Sequence, residues 1–169
     1  MLTPSQSAIV TETLRVALAA AAGDVDGDHL ASLAQAAAAL APADIAAPHP
    51  AWPALGTSVV RDRVVGAEDT AAAMGHPDEA VQVLGSPRIS LWFELAACEL
   101  LPEPRPELTH VGAGILVHHL GRADIGVTVT VEATTASVGG RRAEFTCRAS
   151  VGDRLVGLGV HHRALLAPR

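Results

Sequence analysis

Hydrophobic and polar positions repeat along this chain with two different periods, and the change of period divides it. From Ser5 to Ala22 the residues Ile9, Val10, Leu14, Val16 and Leu18 recur among alanines at helical spacing, and a second alanine-rich helix is expected from Asp28 to Leu40. The stretch Pro42 to Pro53 carries four prolines and reads as a linker. Beyond it, Thr57 to Val65 (TSVVRDRVV) reads as a strand and Ala67 to Met74 as a short helix or turn. Pro87 to Leu101 is the principal helix, started by Ser86-Pro87 and stopped by the proline-rich LPEPRPE. Four strand-like runs follow, Val111 to Leu120, Ile125 to Ser137, Arg141 to Ser150 and Arg154 to Leu166. Within them Val127, Val129, Val131 and Ala133 face one way while Thr128, Thr130, Glu132 and Thr134 face the other. Ala143, Phe145, Cys147 and Ala149 alternate likewise against Arg142, Glu144, Thr146 and Arg148, and Gly139-Gly140 and Gly152-Asp153 are hairpin turns. One strand, one long helix and then an antiparallel meander predict an α+β domain over residues 51–169, its sheet wrapped around a single central helix. Residues 1–50 form an alanine-rich helical extension and linker ahead of it.

Composition narrows the function classes. A chain of 169 residues with 49% hydrophobic residues can build one core with an extension. The net charge of -6 argues against general nucleic-acid binding, which requires a basic surface. Two cysteines, Cys98 and Cys147, are too few for a disulfide framework and fall inside apolar patterns, so reduced core thiols are expected. The N-terminus lacks the basic segment of a secretion signal, and no run of about 18 apolar residues stands free of charge, so a cytoplasmic protein off the membrane is expected. GDVDGDH, from Gly23 to His29, resembles the start of a calcium loop, but His29 stands where such a loop needs Gly and Gln35 where it needs Glu. Asp28 reads better as a helix N-cap.

The chemistry centres on ISLWFELAACELL, which sets the carboxylate of Glu94 among Trp92, Phe93, Leu95 and Ala96. Burying an ionised carboxylate without a partner costs several kcal/mol, so an acid in such company asks for a reason. Its company is informative: Gly85-Ser86 eight positions or so ahead of Glu94, then GAGILVHH with Gly112 and His119, the GVTVTVE strand, and GVHHRALL with Arg163. In these motifs, over roughly Thr57 to Leu166, the chain resembles the fluoroacetyl-CoA thioesterase type of hotdog hydrolase. The resemblance implies a hotdog fold, hydrolysis of a small acyl-CoA thioester without a cofactor or metal, and a homodimer with sites at the interface. It implies a catalytic group of Ser86, Glu94 and His119, with Gly112 lining the acyl site and Arg163 close by. Two departures stand out: Ser86 occupies the position usually held by Thr, and Ala80 replaces a phenylalanine that closes over the fluorinated acyl group.

Each residue also has a structural reading. Ser86 could serve only as the helix N-cap, Glu94 could snorkel from a partly exposed face or pair with an arginine, Gly112 could permit close backbone packing, and Arg163 could be a strand-end charge. Eight residues of helix rise about 12 Å, so Ser86 and Glu94 cannot touch within one helix. His118 and His119 project to opposite faces of a strand, as do His161 and His162, and adjacent strand residues do not readily chelate one metal ion. With His119 as general base, Glu94 is expected to fix its orientation and charge, Ser86 to act as nucleophile or substrate hydrogen-bonder, and backbone amides near Ser86 or Gly112 to face the carbonyl. Arg122, Arg141, Arg142 and Arg148 are the candidates for meeting coenzyme A phosphates. Two other classes remain: a hotdog dehydratase, for which no Asp lies near the start of the principal helix, and a non-catalytic acyl-CoA sensor or scaffold.

Overall fold

The computed structural model describes residues 47–78, 80–103 and 108–166. The two expected N-terminal helices, the calcium-like segment and the first five residues of the proline-rich linker lie outside them. The described chain runs β1 (Ser58–Val64), a 3-10 turn (Ala67–Asp69), α1 (Ser86–Glu99), β2 (His110–His119), β3 (Thr128–Gly139), β4 (Arg142–Val151) and β5 (Arg154–Leu165). The strands form one antiparallel sheet in the order β1-β3-β4-β5-β2. Helix α1 packs against all five strands, so the domain is a hotdog fold.

The period-2 pattern sets which face of the sheet meets the helix. On β3, Val129, Val131, Ala133 and Thr135 are buried, and on β4 so are Ala143, Phe145, Cys147 and Ala149. Glycines Gly140 and Gly152, at φ 50° and 55°, make the two hairpin turns that join β3, β4 and β5, a backbone region that disfavours other residues. On the helix side Ile89, Trp92, Phe93, Ala96 and Ala97 are buried. Phe93 lies directly over β5: a Cβ on Gly159 would stand 3.0 Å from its ring and 2.5 Å from the carbonyl oxygen of Leu116. Glycine there lets the helix approach the sheet closely enough to bury the ring completely. Glu94 therefore does not share the buried surroundings of its sequence neighbours, because Trp92, Phe93, Ala96 and Ala97 turn to the core while Leu91, Glu94 and Leu95 share the opposite, solvent side.

The linker ends earlier than the prolines suggest. Trp52 is buried in the core cluster, its Nε1 donates to the carbonyl of Gly140 at 3.1 Å, and the backbone N–H of His49 donates to the same carbonyl at 3.0 Å. The last residues of the expected linker thus close the end of the β3–β4 hairpin. A chain beginning at residue 47 is expected to keep its secondary structure and stability, whereas one beginning at residue 54 should lose about 3–5 kcal/mol through the missing indole. Chemical denaturation of both truncations checks this.

Candidate functional site

Helix α1 begins differently from the expected Ser-capped start. Gly85 is the N-cap residue and Ser86 is the first residue of the helix, with Pro87 next in the first turn. The Ser86 hydroxyl makes no capping bond; its Oγ lies 3.0 Å from Nδ1 of His119. The other ring nitrogen, Nε2, lies 2.9 Å from the carbonyl oxygen of Gly121. A carbonyl can only accept, so Nε2 carries the proton and Nδ1 is the free base, which makes Ser86 the donor to it. The result is a hydroxyl, a base and an orienting acceptor in one hydrogen-bonded row.

Two loops hold that row together. The backbone N–H of Leu84 donates to the carbonyl of Ala123 at 2.9 Å, and Val83 forms a bridge with Asp124, which ties the approach to Ser86 onto the loop that follows His119. Gly121 is in turn fixed to β5, donating to the Val156 carbonyl at 3.2 Å, and Arg154 Nη2 donates to the Arg122 carbonyl at 2.7 Å. From below, Gly85 donates to the Asp69 carbonyl at 2.9 Å, while the buried Asp69 side chain pairs with Arg88 at 2.6 Å. The first turn of α1 is therefore anchored on both sides. The backbone N–H of Ser86 makes no backbone hydrogen bond among the described residues and stands at the positive end of the helix dipole.

Glu94 belongs to a second group. Its Oε1 lies 3.2 Å from Nη1 of Arg163, and that same nitrogen is 3.2 Å from Nε2 of His161. Nη2 of Arg163 is 3.0 Å from Nδ1 of His110. Arg163 is 5% exposed and points inward from β5, so it is not a strand-end charge, while the Glu94 side chain is 43% exposed. Within one chain Gly121 orients His119, and Glu94 pairs with Arg163. Gly112 lies where a side chain would meet this group, since a Cβ there would be 3.1 Å from Glu94 Oε1. Ala80 is exposed in the loop before α1, its N–H donating to Asp78 Oδ1 at 2.9 Å.

The remaining candidates separate. His162 faces away from His161 and lies 3.6 Å from Glu144. Burial raises the Cys98 thiol, with Arg163 pulling the other way, and pushes Cys147 up to about 12, so neither is primed as a nucleophile. Of the four arginines considered for phosphates, Arg141 donates to the carbonyls of Leu165 and Leu166, and Arg142 and Arg148 lie exposed on β4. Arg122 alone shares the loop of Gly121, exposed and paired with Asp124 at 2.6 Å. The sequence pattern did not reveal the Gly121 carbonyl, the Asp69–Arg88 anchor, or His161 and His110 around Arg163. Only the last two had a signal, the histidines of GVHHRALL and the His that opens β2.

The family model for fluoroacetyl-CoA-specific thioesterases matches residues 65–168. A phenylalanine-to-alanine variant of the fluoroacetyl-CoA-specific thioesterase FlK, solved with fluoroacetate and CoA, is 29% identical over 67% of this chain and 94% of its own, with a TM-score of 0.60. A threonine-to-serine variant of FlK, solved with acetyl-CoA, is 30% identical over 67% of this chain and 89% of its own, with a TM-score of 0.61. A hot-dog-like protein from Thermanaerovibrio acidaminovorans is 23% identical over 68% of this chain and 84% of its own, with a TM-score of 0.60, a likeness of fold. No protein among those with curated functions matches in sequence.

Proposed function

Because the chain belongs to the fluoroacetyl-CoA-specific thioesterase family, we propose that it hydrolyses a small acyl-CoA thioester to the free acid and coenzyme A. The observation that carries this reading is the row Ser86–His119–Gly121, a serine hydroxyl already donating to an oriented, unprotonated imidazole nitrogen. His119 Nδ1 takes the proton as Ser86 Oγ attacks the thioester carbonyl. The N–H of Ser86, at the start of α1, faces the developing oxyanion. Collapse expels the CoA thiolate, which receives the proton from His119 and leaves an acyl-serine. Water, giving its proton to His119, then releases the acid and restores Ser86.

Glu94 has a different part from the one its position in the sequence suggests. It lies on a solvent-facing strip with Leu91 and Leu95, beside the edge strand β2 with its exposed Val111, Ile115 and Leu116. An open strand edge flanked by apolar side chains is a surface for pairing, and a homodimer covers it. In that dimer Glu94 reaches the Ser86–His119 row of the partner subunit, where its charge offsets the imidazolium and its free oxygen orients the hydrolytic water. Arg122 is the arginine best placed to meet a phosphate of coenzyme A. Among the described residues no helix is long and apolar enough to cross a membrane, and a cytoplasmic enzyme is the reading that fits its substrate class.

The acyl group follows from Ala80. A methyl in place of an aromatic ring leaves the acyl end of the site open, and one fluorine against one hydrogen then offers only modest contact differences. Selectivity of about 10⁴ to 10⁵ requires a site that leaves polar groups unpaired with the wrong substrate. The enzyme is expected to prefer fluoroacetyl-CoA over acetyl-CoA by well under that range in kcat/KM and to accept at least one longer chain. Thiol release from a panel of acyl-CoA thioesters tests the proposal. Saturable binding of every thioester without thiol release would make the protein an acyl-CoA sensor instead.

A further inference from the structure

We infer that His161 and His110 are positioning residues for Glu94: as neutral imidazoles they accept hydrogen bonds from the two terminal nitrogens of Arg163 and so aim its guanidinium at the carboxylate. The inference rests on the reading of Glu94 as part of the hydrolytic site. It starts from what an arginine can do. The guanidinium only donates, so each nitrogen it meets must be an acceptor without a proton. Nη2 is 3.0 Å from His110 Nδ1, which leaves the His110 proton on Nε2, and the carbonyl of Pro102 stands 3.2 Å from that atom to receive it. Nη1 is 3.2 Å from His161 Nε2, which leaves the His161 proton on Nδ1. Both rings thus have one tautomer compatible with the arginine.

The arrangement fixes direction rather than merely neutralising charge. Arg163 is nearly buried while Glu94 is half-exposed, so a lone ion pair would let the carboxylate swing toward water. Two imidazoles from β5 and β2 determine the plane of the guanidinium, and its Nη1 then offers one N–H to Glu94 Oε1 at 3.2 Å. The Gly112 backbone closes the other side, 3.1 Å from Oε1 to where a Cβ would stand, with His161 Cε1 at 3.5 Å from the same point. The carboxylate is gripped between the β2 backbone and the arginine.

Acid should undo this. The titratable and charged groups around the guanidinium are Glu94 and Cys98 from α1, His110 from β2, and His161 from β5, with His162 turned to the outer face beside Glu144. Protonating either inward ring removes an acceptor and sets a second cation against Arg163. Burial, and then the Arg163 charge, lower the His161 pKa from its ordinary 6.5, against a smaller opposing pull from Glu94, so the ring is neutral at pH 7. The unfolded chain takes that proton first as pH falls, so folding stability drops below the ordinary histidine range and the Glu94 grip fails further down.

The test compares His161→Leu, which removes the acceptor, with His161→Gln, whose amide oxygen can replace Nε2. Both are assayed with wild type and Ser86→Ala for kcat and KM across the acid pH range on the best thioester of the panel. His161→Leu is expected to lower kcat by about 10- to 100-fold with KM little changed. His161→Gln should recover most of that loss and lack the lowest acid limb. Wild-type kcat in His161→Leu, with Ser86→Ala inactive, overturns the inference and leaves the proposed function standing. No turnover by wild type overturns the proposed function and the inference with it. Should His161→Leu not fold, nitrogen NMR of the wild-type rings decides: His161 protonated at Nε2, His110 protonated at Nδ1, or either ring charged at pH 7 overturns the inference.

Discussion

Ser86→Ala and His119→Ala are each expected to lower kcat by about 10²- to 10⁴-fold, and the double variant should be little worse than the worse single. The two side chains share one hydrogen bond of 3.0 Å, so removing either one disables the same proton transfer. Additive losses would show that they work independently and would sink the nucleophile–base assignment. The control that separates chemistry from folding follows from the helix start. Because Gly85 is the N-cap residue and Ser86 makes no capping bond, Ser86→Ala should change stability by no more than about 0.5 kcal/mol. A serine whose hydroxyl served the helix would instead cost about 1 kcal/mol and leave kcat intact. Ser86→Thr keeps the hydroxyl and should remain active. Rapid mixing should also show a burst of free thiol in wild type if breakdown of the acyl-serine is slower than its formation, and no burst in Ser86→Ala.

The fold was legible because its signals are periodic. A single buried face per strand forces alternation, which burial follows on β3 as far as Thr135 and on β4 as far as Ala149, and the helix starts and stops at prolines that admit little else. The linker was misread at its end for a related reason: prolines report a rigid backbone, not whether an indole between them docks, and Trp52 finds the Gly140 carbonyl across a long separation in sequence. The site was legible only as a set of residue types. The motifs offer Ser86, Glu94, His119, Gly112 and Arg163, and the resemblance groups the first three, but the pairing of Glu94 with Arg163 within one chain is not legible, because a sequence gives spacing along a strand and not what lies across the sheet. His119 is oriented by a carbonyl, and every residue has one, so no pattern could point to Gly121. Arg163 was ambiguous for want of parity: its inward direction is fixed by the count from Gly157 and Gly159, the glycines that make room for the helix. Glu94 misleads because apolar neighbours in a helix sequence face several directions: Trp92, Phe93, Ala96 and Ala97 face the core, while Glu94 lies with Leu91 and Leu95 on the outer side.

Mixed dimers should reveal where Glu94 acts. Glu94→Gln alone is expected to lower turnover by about 10²- to 10³-fold, since it leaves the Arg163 contact in place but removes the charge beside the reacting groups. The question is whose Ser86 it serves. In one chain the two residues are separated by about 12 Å of helix rise, too far for a single water to join them. Ser90 lies midway between them, and the exposed Leu91 and Leu95 flank Glu94 on the strip the dimer would cover. In the proposed homodimer, a twofold axis passing near Ser90 would carry residue 86 of one helix to residue 94 of the other and bring each Glu94 to the partner subunit's reactive row. Chains carrying Glu94→Gln and chains carrying His119→Ala are then nearly inactive apart. In a dimer with one of each, both defects fall on the same site and the other site has wild-type Glu94 and His119. That heterodimer, purified by two different tags, should recover about half the wild-type turnover. If instead each chain supplies its own Glu94, both sites keep one defect and the heterodimer stays as inactive as its parents, which would confine Glu94 to the protomer that holds it.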